Sequence, residues 1–375
     1  GIFHWSKAKQ LHDSSGSQAT KNTLDFLTSG LDVAAKQLIT KIGTNDDDIE
    51  DVLTVMPDVA HFHLGGDEAW TFGTHPDTKA YIEANGKGAL YLHHVEPLLD
   101  LLNERGVRPI LWHDMMISWD DQAVQRLAEK ADLCVWGYRE HPDHTSGHHS
   151  SRVIQRFADC GVTMWGGTAY KGAAGVDADL TDFELHTVNA SGWAEVSARY
   201  GMKGVFATAW SRYSTHNVHC ETIEACLDSL VNVAVILHDG QGPAGGEDRC
   251  VEALAELGQK ERFEAVRAAM AKLTGARDLA WRQIRLLRQV VVMAELDERR
   301  RSGGPLVRGL RSLKGAVAQA DAAAEDACRA YDGLIPSIWV QRYLAERTQP
   351  LREELDLLAG RVRELDPAGY GATVG

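Results

Sequence analysis

Short apolar runs alternate with amphipathic stretches through the first 240 residues of this chain. Val59-Ala60-His61-Phe62-His63-Leu64 reads as a strand. Leu90, Leu92, Val95, Leu98, Leu99 and Leu102 then recur at helical spacing and predict a helix from Gly88 to Arg105. Arg108-Pro109-Ile110-Leu111-Trp112 reads as the next strand and Asp121 to Lys130 as the next helix. Leu133-Cys134-Val135-Trp136 is followed by a helix from Ser151 to Cys160, and Val162-Thr163-Met164-Trp165 by one from Leu185 to Tyr200. Gly204-Val205-Phe206-Ala207-Thr208 precedes a closing helix from Cys220 to His238. Strands that alternate with helices in this way predict a parallel sheet with crossover helices. Runs this short and apolar suit parallel strands, which are covered on both faces.

The texture changes after Asp239-Gly240-Gln241-Gly242-Pro243-Ala244-Gly245-Gly246, a cluster of helix breakers. Beyond it the chain is rich in Ala, Leu, Glu and Arg. Its periods predict helices at about 247–273, 277–301, 305–333 and 336–365. Leu279, Ile284, Leu287, Val290 and Val291 form one apolar stripe, and Ser302-Gly303-Gly304 is a helix stop. The expected division is a catalytic region over 1–240 and a C-terminal α-helical bundle over 247–366.

Polar and aromatic residues follow every predicted strand: His63-Leu64-Gly65-Gly66-Asp67-Glu68, Trp112-His113-Asp114, Trp136-Gly137-Tyr138, Thr168-Ala169-Tyr170-Lys171 and Trp210-Ser211-Arg212-Tyr213. A (β/α)8 TIM barrel builds its site from those C-terminal strand ends. An open doubly wound sheet would gather its chemistry at one switch point. The expected class is therefore α/β, a TIM barrel, yet five units are not eight. Thr20 to Ile42 looks helical, and His4-Trp5 reads as the tail of one more strand. Either the barrel lacks its first two or three strands in this chain, or a segment outside the chain supplies them.

The sharpest chemistry is Gly65-Gly66-Asp67-Glu68. Two glycines let the backbone turn where a Cβ would clash, and two carboxylic acids follow. Glycosidases need an acid for the leaving oxygen and a group that stabilises an oxocarbenium-like centre. Neighbouring carboxyls push each other's pKa apart, so one can stay protonated while the other is charged. The bland reading is an Asp-Glu pair on a solvated turn.

The string His63-Leu64-Gly65-Gly66-Asp67-Glu68-Ala69-Trp70 resembles the His-x-Gly-Gly-Asp-Glu signature of glycoside hydrolase family 20. Leu111-Trp112-His113-Asp114-Met115, Gly167-Thr168-Ala169-Tyr170-Lys171-Gly172-Ala173 and Ala209-Trp210-Ser211-Arg212-Tyr213 resemble later strand ends of its hexosaminidase D-like branch. The resemblance covers about residues 55 to 240. It implies a retaining β-N-acetylhexosaminidase in which the sugar's own 2-acetamido oxygen is the nucleophile. Asp67 would orient the acetamide and Glu68 would be the acid and then the base. Tyr170 matches a tyrosine that bonds the acetamide oxygen. No cofactor and no metal is implied. The family's sugar-binding Arg and Asp on strand 1 have no counterpart here, and only His4 could stand for its His after strand 3.

Sugar rings offer C–H faces that stack on aromatics. Trp112, Trp136, Tyr138 and Trp210 are candidate pocket walls, with barrel packing as the alternative; Trp165 lies inside its strand. Asp114 suits a sugar hydroxyl or a loop cap, and His63 steadies the Asp-Glu loop. Arg212, Tyr213 and Glu221 follow the last strand. Glu221 suits hydroxyls O4 or O6, or else opens the closing helix, where negative charge is favoured. His141, His144, His148 and His149 cluster in one loop without a Cys or carboxylate at ligand spacing.

The formal net charge of −14 argues against nucleic acid and against an anionic membrane surface. A small-molecule sugar substrate is compatible with it. No apolar run is long enough to cross a membrane. Six scattered cysteines without a CxxC pair suggest reduced thiols and a cytoplasmic protein. The chain opens Gly1-Ile2-Phe3-His4-Trp5, without Met and without a visible signal peptide. The helical region would pack on the barrel or join a homodimer. Two further readings remain beside the glycosidase: a non-catalytic carbohydrate-binding or scaffold relative with an incomplete barrel, and a metal-dependent barrel hydrolase built on the His cluster.

Overall fold

The computed structural model describes residues 38–40, 46–69, 72–144, 147–213, 217–242, 245–302 and 304–374. They form two compact units. The first holds the described residues of Gly1–Tyr170, Phe183–Trp210 and Asn232–Pro243; the second holds those of Lys171–Asp182, Ser211–Val231 and Ala244–Gly375.

The first unit is a sheet in sequence order, β1 (Leu38–Thr40), β2 (His61–Gly65), β3 (Arg108–Trp112), β4 (Asp132–Trp136), β5 (Met164–Lys171) and β6 (Val205–Ala209). β1 to β5 pair in parallel. The strands curl into a half-barrel, consistent with a partial (β/α)n barrel. Of the stretch Thr20 to Ile42 that reads as helical, only Leu38–Thr40 is described, and it is strand: the free edge of β2 offers backbone partners that periodicity does not reveal. The rest of that stretch, with His4 and Trp5, lies outside the described residues.

The helices of this unit are α1 (Asp46–Val55), α2 (Pro76–Asn85), α3 (Lys87–Glu104), α4 (Asp121–Lys130), α5 (Ser151–Asp159), α6 (Phe183–Tyr200) and α7 (Leu227–Asp239), whose last residues belong here. α3 buries Leu92, Val95, Leu98, Leu99 and Leu102 of the stripe its spacing predicts, with Tyr91 added, while Leu90 is only half-buried. α4 starts on Asp120, whose carboxylate accepts from the Ala123 N–H at 2.9 Å. Phe62, Leu64, Leu99, Leu111, Leu127, Leu133 and Phe157 meet in one core. Each fully buried side chain of this kind contributes about 1.5–3 kcal/mol.

Two element boundaries that bear on the polar loops differ from the sequence reading. β5 runs on to Lys171, so Thr168, Ala169 and Tyr170 lie within it rather than after it. Gly166 and Gly167 make this strand fit: a Cβ on Gly166 would stand 2.8 Å from the Trp193 ring, and one on Gly167 3.0 Å from Trp136. The closing helix starts at Leu227, so Cys220 and Glu221 precede it. At the start of β3 and β4, Asp132 accepts from Arg108 Nε at 2.7 Å and from Trp165 Nε1 at 3.0 Å. That buried latch sits at the strand end opposite the polar loops.

The helical part of the second unit comprises α8 (Gly246–Glu256), α9 (Lys260–Leu296), α10 (Pro305–Ala330), α11 (Ser337–Leu365) and α12 (Pro367–Val374). The helix break falls at Leu257-Gly258-Gln259, where Gly258 takes φ +67°, and not at 274–276. Gly275 stays helical inside α9, at a cost of about 1 kcal/mol against Ala. Next to it the Thr274 hydroxyl donates to Asp179 at 3.0 Å. Ala316, Ala320, Ala323 and Ala327 give α10 a small-residue face against Leu and Met side chains of α9. Asp179, fully buried, bridges Arg347 of α11 and Arg277 of α9. Among the described residues no helix is long and apolar enough to cross a membrane.

Candidate active site

The Asp-Glu loop leaves β2 at a slip in register, between His63 paired with Ile110 and Gly65 paired with Leu111. Gly65 and Gly66 then take φ +80° and +83°. A Cβ on Gly66 would lie 2.1 Å from the Tyr91 hydroxyl, which itself donates to the Gly66 carbonyl at 3.1 Å. Tyr91 thus holds the turn from α3. Sequence reasoning missed it because a tyrosine in an apolar helical stripe looks like ordinary core.

Glu68 is the one described non-glycine residue with positive φ, at +47°. An L-residue there costs about 1–2 kcal/mol. Its N–H donates to Asp114 Oδ2 at 2.8 Å. A hydrogen bond to a charged acceptor contributes about 1.5–3 kcal/mol, which offsets that cost. Asp114 Oδ1 accepts from Trp136 Nε1 at 3.1 Å. Asp114 therefore ties the loop after β2 to the end of β4 through the first residue of a short 3-10 turn, Asp114–Met116.

Aromatic rings continue from there. Trp136 stacks on Tyr138 with centroids 5.3 Å apart, and Tyr138 meets Trp210 edge-on at 5.9 Å. Burial lifts the Tyr138 hydroxyl well above its ordinary pKa, and the Cys134 and Asp67 charges add to it. The loop carrying Tyr138 is anchored from below: Asn189 and Trp193 of α6 donate to the Gly137 carbonyl at 2.9 and 2.8 Å. Tyr170 lies in the same sheet near the end of β5, 8% exposed.

Asp67 is half-buried and Glu68 exposed. Burial pushes the Asp67 carboxyl up to about 6, with the Asp114 and Glu68 charges adding to it and a backbone hydrogen bond opposing. Burial and the Asp114 charge also raise Glu68.

His63 is 1% exposed and accepts the Gly65 N–H on Nδ1 at 3.0 Å. Its ring packs on Trp112, centroids 4.2 Å apart, and Trp112 is itself 2% exposed against Ile110 and Cys134. His113 donates from Nε2 to the His148 carbonyl. Burial lowers both His63 and His113 to about 3. The unfolded chain titrates near 6.5, so it binds more protons between these values. This stabilisation is whole above pH 6.5 and is lost as pH falls toward 3, by up to about 1.4 kcal/mol per pH unit for each ring. Asp67 acts with the opposite sign: its folded value of about 6 exceeds 3.8, so its penalty eases as pH falls through 6. Two rings outweigh one carboxyl. Melting temperature is expected to fall from about pH 7 to about pH 4.5, and more steeply than in His113→Phe. Equal slopes in the two proteins would overturn this account.

Among the described residues, those of the histidine loop included, no group of three or more His, Cys, Asp or Glu could hold a metal. His141 pairs with Glu195 at 3.3 Å, while His148 packs on Trp136 and His149 on His148. The side chain of His144 lies outside the described residues.

Arg212 and Glu221 belong to the second unit. Arg212 stands 3.7 Å from Glu346 and bridges in backbone to His219, which bonds the same carboxylate at 2.8 Å. Glu221 is 1% exposed. Its Oε1 accepts the Gly172 N–H at 2.7 Å, and no described donor reaches Oε2. It lines a cavity of ~210 Å³ with Lys171, Tyr331, Trp339 and Tyr343. All six cysteines are free of disulfides.

No family model matches the chain. Hexosaminidase D of Bos taurus is 28% identical to it over 201 residues, which cover 51% of this chain and 57% of that protein. Hexosaminidase D of Homo sapiens is 26% identical over 246 residues, covering 62% of this chain and 49% of that protein. The chain spans about half the length of these curated relatives. Two matches of one name, beside a parallel half-barrel with two carboxyls at a strand end, support a hexosaminidase D-like relationship.

Proposed function

We propose that this chain is the hydrolytic part of an exo-acting β-N-acetylhexosaminidase that retains configuration through substrate assistance. The observation that carries the reading is the pair Asp67-Glu68, set on a left-handed turn at the C-terminal end of a parallel strand. Both carboxyls are raised above their ordinary values. The similarity to hexosaminidase D supports the substrate class.

In this reading the sugar lies against Trp136, Tyr138 and Trp210. Its acetamide is oriented by Asp67 and by the Tyr170 hydroxyl. The acetamide oxygen attacks C1 while Glu68 gives its proton to the glycosidic oxygen. The C1–O bond to the leaving group breaks, and a cyclic oxazolinium ion forms. Asp67, as a carboxylate, faces its positive charge. Glu68, now a carboxylate, takes a proton from water as that water attacks C1 and reopens the ring. Two inversions give net retention. His63 and Trp112 support the loop from below.

Purified protein is expected to turn over chromogenic β-N-acetylglucosaminide or β-N-acetylgalactosaminide. The acid limb of kcat/KM, which reports the free enzyme, is expected near the Asp67 value of about 6. No turnover of either substrate by folded protein would sink the reading and leave a sugar-binding relative.

A further inference from the structure

We propose that Asp114 is the positioning residue that aims the acid, an inference that rests on the hydrolase reading of Glu68. Its two carboxylate oxygens are divided between two elements: the Glu68 N–H at 2.8 Å and the Trp136 indole N–H at 3.1 Å. The first bond acts on the backbone of the acid itself. Glu68 is exposed, and its left-handed φ of +47° sets the direction in which its side chain leaves the loop. The second bond fixes the ring against which Tyr138 stacks.

Asp114 is well founded for this task. It opens a 3-10 turn whose Met116 is fully buried and whose neighbour Trp119 is 5% exposed and packs on Tyr91 at 5.2 Å. Tyr91 in turn holds Gly66. The loop is thus gripped on both sides of Asp67, at Gly66 by a hydroxyl and at Glu68 by a carboxylate. The negative charge of Asp114 also favours the protonated form of Glu68, the form a general acid needs.

Asp114→Asn separates the claim from a bland structural role. An amide has one acceptor oxygen, so one of the two N–H donors must face an NH2 group. The expected result on an aryl β-N-acetylhexosaminide is a fall in kcat of about 100-fold with KM within about threefold. The basic limb of the pH profile should move down, because the charge that raises Glu68 is gone. Asp114→Glu keeps the charge but displaces it by a methylene; kcat should fall while the basic limb stays in place. Amide exchange of Glu68 should quicken about tenfold or more in Asp114→Asn. A kcat within about threefold of wild type, or an unmoved basic limb, would overturn the proposal. If the wild type turns nothing over, the hydrolase reading fails alone, and unchanged Glu68 exchange in Asp114→Asn would still overturn the positioning role.

Discussion

Replacing Glu68 by Gln is expected to cut turnover of an alkyl β-N-acetylhexosaminide by about 10²–10⁴-fold. Gln keeps the size and the left-handed backbone but has no acidic proton. An alkoxide cannot leave without that proton, whereas a nitrophenolate can. The first step on a nitrophenyl substrate should therefore lose much less. Its second step still lacks a base to deprotonate water. Azide needs no base, so it should restore turnover of the nitrophenyl substrate by Glu68→Gln and give the β-glycosyl azide. Asp67→Asn should behave differently. There the oxazolinium ion loses its counter-charge, a defect that azide does not repair. Rescue of Asp67→Asn, or Glu68→Gln with alkyl turnover near wild type, would reverse or remove the assigned roles.

Asp179→Ala is expected to cost the second unit about 3–5 kcal/mol. The Asp179 carboxylate is fully buried and bonds Arg347 Nε, Arg277 Nη1 and the Thr274 hydroxyl. Arg347 is fully buried too; it also donates to the His219 carbonyl at 2.7 Å and lies over the Tyr343 ring at 3.6 Å. Removing the carboxylate leaves guanidinium charge in a dry interior with too few acceptors. The melting transition that reports the helices should drop by on the order of 10 °C. Replacing Asp179, Arg347 and Arg277 together by apolar residues of similar volume should recover most of the loss. A drop under about 1 kcal/mol for Asp179→Ala would show that water reaches the cluster.

The alternation of strands and helices was readable because these parallel strands are mostly apolar and their covering helices are striped. α4 starts and ends where Asp120 and Lys130 signal it. Periodicity failed where local preference and tertiary pairing disagree. Thr274-Gly275 looks like a helix end, but Thr274 bonds Asp179 and the helix runs on. Gly166-Gly167 looks like a strand end, but the Trp193 ring and the Trp136 Cβ occupy the space their side chains would need. At the site, Asp67 and Glu68 were legible because their neighbours in sequence are their neighbours in space. Tyr91, Asp114 and Asn189 act on that loop or its companion across 25, 46 and 52 residues. Only their partners reveal what they do, and partners at that separation carry no mark in a single sequence.

Asp179 and Arg347 are separated by 168 residues, and that interval has a meaning in time. A ribosome adding about 5–20 residues per second takes roughly 8–34 s to cover it. For that whole interval Asp179 is on a nascent chain whose Arg347 has not been made. Arg277 arrives sooner, 98 residues after Asp179. The strands up to β6 are complete before either arginine emerges, so the sheet can collapse during synthesis. The second unit cannot lock in the same way. Its keystone is cut early, and the last block that bears on it is delivered late.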